Sequence, residues 1–349
     1  MPDPQKRLLF IVSLSQKGVA FDCSRSKRLG ALIQYQNNIS LLRQFFGMTF
    51  HSYSARGEQP CKSVSGPAMP KIIQVSDLHL TPAGVSHLGC NPRVRLEAAI
   101  DSINNEHADA DLVVFTGDLT ALGQGAAYVA LAECLKALRV PFRLCLGNGD
   151  HRGRFLEVFK EVPIDEAGFV QTAVKIGHHT VICLDTLSSD GGHSGELCER
   201  RLGWLDARLK DCAGGPALLF MHHPPFEVGM PFLDSLALKH PERLAAVLAP
   251  HDITHIFLGH LHRPIAGSWR RIPMSVVRST VSQFALRLGG PPARCLEAPF
   301  YAVALVSDES VVVHFHDYMF DGTVMKYEPV PAVIVDNEAV AYEYQKGRS

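Results

Sequence analysis

No two of the nine cysteines stand in a CxxC spacing, and the set is odd in number and dispersed along the chain. That usage argues against a disulfide framework and suits a reducing compartment, so a cytoplasmic protein is expected. No apolar run reaches the roughly 18–20 residues of a membrane span, and no membrane partner is expected. Leu8-Leu9-Phe10-Ile11-Val12 follows Lys6-Arg7 and faintly resembles a signal peptide. Ser13, Ser15, Gln16 and Lys17 interrupt it, and no small-residue cleavage site is obvious. Charge of one sign is also missing. The formal net charge is −1 with no long basic block, so a stable nucleic-acid partner is not indicated. Internal repeats and extended low-complexity tracts are absent as well. What the chain has is length, with 349 residues of which 46% are hydrophobic, and many histidines, 17 in all. That suffices for one large α/β domain with appendages, or for two domains.

Residues 1–68 mix short apolar runs with basic and polar residues and end in the loop-like Ser63-Val64-Ser65-Gly66-Pro67. They are expected to be a poorly ordered extension, with the folded domain beginning near Met69 and running to about residue 330. Residues 331–349 are expected to be a tail. From Lys71 a regular alternation begins. Strand Lys71–Ser76 leads to a helix opening at Asn91-Pro92, where Asn caps and Pro suits the first turn. Strand Leu112–Thr116, helix Ala126–Leu138 and strand Phe142–Leu146 follow. Such a series predicts parallel strands with right-handed crossovers, and sites beyond their carboxyl ends. Arg152–Glu161 reads as a helix, and Phe169–Ile176 with Thr180–Asp185 as a hairpin. Cys198–Cys212 is an amphipathic helix. Strand Ala217–Met221, helix Pro241–Leu248 and strand Ile253–Leu258 come next. Val276–Leu286, Tyr301–Val306 and Val311–His316 read as further strands.

Ligand-type residues follow the strand-like runs. Leu112–Thr116 ends in Gly117-Asp118, where glycine permits a sharp turn that aims the carboxylate into a cleft. Asp77/His79, Asn148, His222 and His260/His262 stand in the same relation to other strands. Asp118 is the candidate to sit between two metal ions, with the others completing their shells. In Asp77-Leu78-His79 and His260-Leu261-His262, residues two apart in extended backbone would point the same way, with leucine turned to the core. Each motif alone is weak, since a histidine after a strand is usually a surface or core residue. Their joint occurrence, each after a strand, is what points to a metal site. Oxygen and imidazole donors without cysteine suit borderline divalent metals, Mn, Fe, Co, Zn or Ni.

The order D-x-H, G-D, G-N-H-D/E, H-x-P and G-H-x-H resembles the calcineurin-like metallophosphoesterase family, over residues 71–262. Phe220-Met221-His222-His223-Pro224-Pro225-Phe226 and Ile256-Phe257-Leu258-Gly259-His260-Leu261-His262 resemble its class III cyclic nucleotide phosphodiesterases and related glycerophosphodiesterases. The resemblance implies a two-sheet β-sandwich flanked by helices, a four-layer α/β fold with mixed parallel and antiparallel strands. It implies that Asp77, His79 and His262 hold one metal, that Asn148, His222 and His260 hold the other, and that Asp118 bridges both. The ions would be divalent or mixed-valence Mn, Fe, Zn or Co.

One motif departs from the family pattern. Gly147-Asn148-Gly149-Asp150-His151 has glycine where the family has the histidine credited with contacting the phosphate and assisting the leaving group. His151 and His223 are the candidate catalytic replacements. Two metals roughly 3.5–4 Å apart clamp the attacking and leaving oxygens of an in-line displacement, with metal-stabilised hydroxide as nucleophile. The expected activity is hydrolysis of small phosphodiesters, 3′,5′-cyclic nucleotides or glycerophosphodiesters. A phosphomonoesterase, a nucleotide pyrophosphohydrolase and a catalytically weak metal-bound sensor are the alternatives. Loops Thr81–Cys90, Leu187–Ser194 and Phe226–Leu236 are expected at the rim, with Arg152 as a phosphate contact. Related enzymes are often dimeric or higher, so a homodimer is an open expectation.

Overall fold

β1 (Lys71–Val75) and β2 (Leu112–Thr116) are short runs of apolar and β-branched residues, and β2 is buried along its whole length. Strands buried on both faces belong at the centre of a parallel sheet. The computed structural model describes residues 69–319, so the expectations for residues 1–68 and 331–349 lie outside the described residues. β1 pairs in parallel with β2, and β2 with β3 (Phe142–Cys145). The crossovers are α1 (Pro92–Glu106) and α2 (Gly125–Leu135). The N-cap of α1 is Asn91, whose side-chain oxygen accepts from Arg93 N at 3.1 Å, and Pro92 opens the helix. α3 (Arg152–Val158) follows β3. β12 (Tyr301–Val306) pairs antiparallel with β1, and β13 (Val311–His316) with β12, giving a five-stranded sheet ordered β13-β12-β1-β2-β3.

The hairpin of β4 (Thr172–Ile176) and β5 (His179–Cys183) opens a six-stranded sheet. β6 (Ala217–Met221), β7 (Ile253–Leu258) and β9 (Ile272–Val276) continue it in parallel from β5, and β8 (Ile265–Trp269) closes it antiparallel to β9. α4 (Glu199–Asp211) and α6 (Pro241–Leu248) are the crossovers, with the one-turn α5 (Pro231–Asp234) between them.

Alternation along the strands sets the four layers. Ile73, Val75, Val113 and Phe115 face Leu96, Ile100, Tyr128 and Phe155 of the first helical layer. Their neighbours Ile72, Leu112 and Val114 meet Val181, Leu218, Phe220 and Phe257 of the second sheet. There Phe220 and Phe257 stack at 4.3 Å. Leu219, Met221, Ile256 and Leu258 pack against Leu202, Leu205, Leu244 and Leu248 beyond. The two-sheet sandwich flanked by helices, with mixed strands, is the observed fold.

Val276–Leu286 differs from its expected strand. β9 ends at Val276, and only β10 (Gln283–Phe284) remains, paired with β11 (Arg294–Cys295). The segment's polar groups are engaged elsewhere. Ser279 Oγ donates to Asp77 O at 2.8 Å, and Arg95 Nη1 to Val281 O at 2.7 Å. A β-branched sequence here serves as a brace under the site rather than as a ladder. β8 was not expected from the sequence, because Ala266, Gly267 and Ser268 are poor strand formers at a sheet edge.

Candidate metal centre

The carboxyl ends of β1, β2, β3, β6 and β7 gather where the two sheets meet. Cross-sheet bonds hold them there. His260 N donates to both Asp77 carboxylate oxygens at 3.1 Å, and His222 Nδ1 lies 2.8 Å from Thr116 O. Gly117, at φ +94, makes the turn that releases Asp118 from β2. Asp150 ties the neighbouring loop in. Its carboxylate accepts from Leu119 N at 3.0 Å, Thr120 N at 3.1 Å, Gly147 N at 3.0 Å and the Tyr128 hydroxyl at 3.0 Å.

The paired motifs do not lie in extended backbone as the sequence reading supposed. Asp77, His79, Asp118, His260 and His262 all have positive φ, between 45° and 69°. The strands have ended by then, and alternate left-handed residues aim the side chains. Leu78 and Leu261 between them do turn into the core, 0% and 1% exposed. Left-handed backbone costs non-glycine residues about 1–2 kcal/mol each and concentrates at functional sites.

Donor atoms of Asp77, His79, Asp118 and His262 lie within 4.8 Å of one another. His79 Nε2 is 2.9 Å from His262 Nε2 and 3.6 Å from Asp118 Oδ2. His262 Nδ1 donates to Ser282 O at 2.7 Å. In the neutral ring, Nε2 then carries a lone pair, which faces Asp77 Oδ1 at 3.2 Å. His222 repeats this. Its Nδ1 donates to Thr116 O, so its Nε2 lone pair faces Asp118 Oδ1 at 3.4 Å. Each of these nitrogens needs a positive charge, a proton or a metal ion, between it and the carboxylate it faces. Asp118 thus shows one oxygen to His79 and the other to His222.

On the second side, Asn148 Oδ1, His222 Nε2 and His260 Nε2 are buried without any hydrogen-bond partner. An unpartnered buried polar atom costs about 1–3 kcal/mol, and the His222 and His260 rings lie 5.1 Å apart. One amide oxygen and two imidazole nitrogens, beside a carboxylate, fit a borderline divalent metal. Two donor groups, Asp77, His79, Asp118 and His262 on one side and the His222 and His260 nitrogens on the other, thus meet at the Asp118 carboxylate.

The electrostatics agree. Burial works to raise the Asp77 carboxyl, but the imidazoles of His262, His222 and His79 hold it well below the usual range. Burial raises Asp118, with Asp77 adding to it. Burial also pushes His79 and His260 well below the ordinary imidazole value. Burial opposes protonation of His222, yet the Asp118 and Asp77 carboxylates raise it. Asp150 is pushed up to about 7 by burial and by the Asp118 charge. Positive charge placed among these groups relieves the carboxylates and is accepted by the neutral rings.

A cleft of about 560 Å³ opens over this group, lined by His79, Asp118, Asn148, Gly149, His151 and Arg152 and by Leu187–Ser189 and Gly191–His193. Of the three loops expected at its rim, Leu187–Ser194 lines it. Thr81–Cys90 and Phe226–Leu236 supply no lining residue, although His87 stacks on His79 at 5.4 Å.

The two expected catalytic histidines are placed differently. His151 lines the cleft and also caps α3, where its Nδ1 accepts from Arg154 N at 3.2 Å. His223 does not line the cleft. Its donor atoms cluster with those of His222 and His260, and both its ring nitrogens are engaged. Nδ1 lies 2.8 Å from Thr186 Oγ1, and Nε2 lies 3.2 Å from His193 O. A carbonyl only accepts, so in the neutral ring the proton sits on Nε2 and is engaged by His193 O, whereas the expected acid role calls for a proton turned to the substrate. Arg152, expected as a phosphate contact, lines the cleft and at the same time clamps Asp185 through bonds of 2.7 and 2.9 Å. His193 was missed. It stands in a Gly-rich loop whose sequence marks none of its members, and only its 3.3 Å contact with Asn148 Nδ2 singles it out.

The family model described as calcineurin-like phosphoesterase matches residues 70–264. Over 257 residues the chain is 40% identical to a probable cyclic nucleotide phosphodiesterase of Rhodopseudomonas palustris, covering 72% of this chain and 94% of that one. It is 33% identical to a probable glycerophosphodiester phosphodiesterase of Arcobacter nitrofigilis, covering 62% and 81%. It is 31% identical to the 3′,5′-cyclic adenosine monophosphate phosphodiesterase of Escherichia coli K12, covering 63% and 80%. Among solved structures, the purple acid phosphatase of yellow lupin seeds superposes with a TM-score of 0.52 at 12% identity, covering 74% of this chain and 53% of that one. That last likeness concerns the fold alone.

Proposed function

The chain belongs to the calcineurin-like phosphoesterase family, a family of dinuclear metal sites, and from that premise we propose a phosphodiesterase of small diesters, 3′,5′-cyclic nucleotides before glycerophosphodiesters. The observation that carries it is Asp118, with one carboxylate oxygen toward His79 and the other toward His222. Asp77, His79 and His262 would hold one ion, and Asn148, His222 and His260 the other. Such a pair, when bound, neutralises charge on the phosphoryl group and supplies a nucleophile at neutral pH. The chain's own residues set the geometry. The Thr116 and Ser282 carbonyls fix the two imidazole tautomers, as partners of metal-binding histidines do. Asp150 fixes the loops bearing Asp118 and Asn148.

The relatives' names order the substrates, since the one at 40% identity is named for cyclic nucleotides and one at 33% for glycerophosphodiesters. The metals we expect are Mn, Fe, Zn or Co, from the oxygen and imidazole donors. No helix among the described residues is long and apolar enough to cross a membrane. A cytoplasmic setting is inferred from the scattered cysteines. Gly149 favours a second reading, a metal-bound module of weak activity. Hydrolysis of bis(p-nitrophenyl) phosphate with Mn²⁺ separates the two, and cyclic AMP against glycerophosphocholine then ranks the substrates. A metal-loaded protein that leaves all three intact would sink the phosphodiesterase reading.

A further inference from the structure

The loop around Gly149 has closed over the place where the family motif carries histidine. A Cβ on Gly149 would lie 2.5 Å from Thr120 O and 3.2 Å from Asp118 Oδ1. Its backbone N–H already donates to Asp118 Oδ1 at 2.6 Å. No side chain returns to this position without moving the backbone, so any donor to the phosphate on this side comes from elsewhere in the fold.

The same cleft is lined by His193. Its Nδ1 lies 3.3 Å from Asn148 Nδ2. An amide nitrogen only donates, so Nδ1 is the acceptor and the ring proton sits on Nε2. Among the described residues none partners that Nε2. The same contact fixes the Asn148 amide, whose oxygen is the buried, unpartnered atom on the second-ion side. The loop is held in this position rather than left loose. His193 O accepts from His223 Nε2 at 3.2 Å, Ser194 Oγ donates to Ser235 O at 3.2 Å, and Lys239 N donates to Gly195 O at 2.8 Å. His151 is the less suited histidine, because its bonded nitrogen serves the α3 cap and nothing ties it to a ligand.

We propose that His193 takes the place of the motif histidine lost at Gly149, its Nε2–H donating to a phosphoryl oxygen of the substrate beside Asn148. His223 then acts as a positioning residue, through the His193 carbonyl. The assignment rests on the phosphoesterase reading, and it concerns hydrogen-bond donation to the ester.

The test uses the full-length chain loaded with Mn²⁺. For His193→Ala, inorganic phosphate measured by titration calorimetry should bind about tenfold more weakly, the size of one hydrogen bond to a charged group. KM for bis(p-nitrophenyl) phosphate should rise in parallel, more than kcat falls. Metal content should stay at that of the unaltered chain. His193→Gln, which keeps a donor, should recover part of the loss. Phosphate affinity within twofold of the unaltered chain in His193→Ala would overturn the proposal. So would loss of one ion at saturating Mn²⁺, which would leave His193 only the task of orienting Asn148. Phosphate binding needs no turnover. It therefore decides the assignment even if the unaltered chain hydrolyses no diester, an outcome that would count against the proposed function alone.

Discussion

His255 lies within β7 and is 7% exposed, while His260 and His262 follow the carboxyl end of the same strand at 5% and 3%. The three are alike in residue type and burial, and they differ in company. His255 Nε2 meets Ser275 Oγ at 3.0 Å and its ring lies 4.4 Å from that of Phe257. Burial alone lowers it to about 4. His262 faces Asp77 and is joined by His79, and His260 has a nitrogen with no partner at all. Burial of a histidine is therefore no sign of a ligand. What sets His260 and His262 apart is convergence, since each offers a nitrogen within 4.8 Å of donor atoms from other elements.

The largest effect should follow from removing the carboxylate that the two groups share. Asp118→Ala should lower turnover of bis(p-nitrophenyl) phosphate by about 10³-fold or more, several kcal/mol of transition-state stabilisation. It should also weaken both ions, read as Mn²⁺ per chain after desalting. Asn148→Ala should weaken one ion only and leave the Asp77, His79 and His262 group loaded. Equal losses in the two variants would break the division into two groups. Full activity in Asp118→Ala would break the contrast between the ends of β7 as well, since nothing would then distinguish a ligand histidine from His255.

A middling effect is expected at the loop facing them. Gly149→His restores the family motif on paper, yet its Cβ would meet Thr120 O at 2.5 Å. It should destabilise the chain by about 1–3 kcal/mol, as overpacking does, and raise no activity. A rise in turnover with an unchanged melting temperature would mean that the loop still accepts its family form.

How much of this could be read in the sequence follows the same contrast. β2, β6 and β7 stood out at their observed bounds because central parallel strands are continuous apolar runs. Asp77, His79, Asp118, Asn148, His222, His260 and His262 stood out through position after such strands. Their left-handed backbone did not, since no residue type announces it at Asp77 or His79. β8 escaped because edge strands tolerate the small residues Ala266, Gly267 and Ser268. The strand expected over Val276–Leu286 failed because β-branched residues also suit a brace whose carbonyls are claimed by Arg95 and His262. His193 was illegible, since its meaning depends on a contact 45 residues away with Asn148.

The smallest effect lies at the other end of β7, and it concerns stability instead of turnover. His255 in the folded chain titrates at about 4, below the ordinary 6.5. As pH falls through 6.5 the unfolded chain takes up a proton that the folded chain refuses until about 4, so stability is lost across that window and not above it. Linkage puts the loss at about 1 kcal/mol by pH 5.5 to 6, relative to pH 7.5. His255→Gln keeps a polar partner for Ser275 and cannot titrate. Urea unfolding at pH 7.5, 6.0 and 5.5 should therefore show a shallower acid decline in this variant than in the unaltered chain, with similar slopes in denaturant. Activity at pH 7.5 should be unaffected, because His255 touches no residue of the metal groups. Parallel declines would mean that His255 is not held neutral by burial, and the distinction between buried histidines at the two ends of the strand would lose its physical basis.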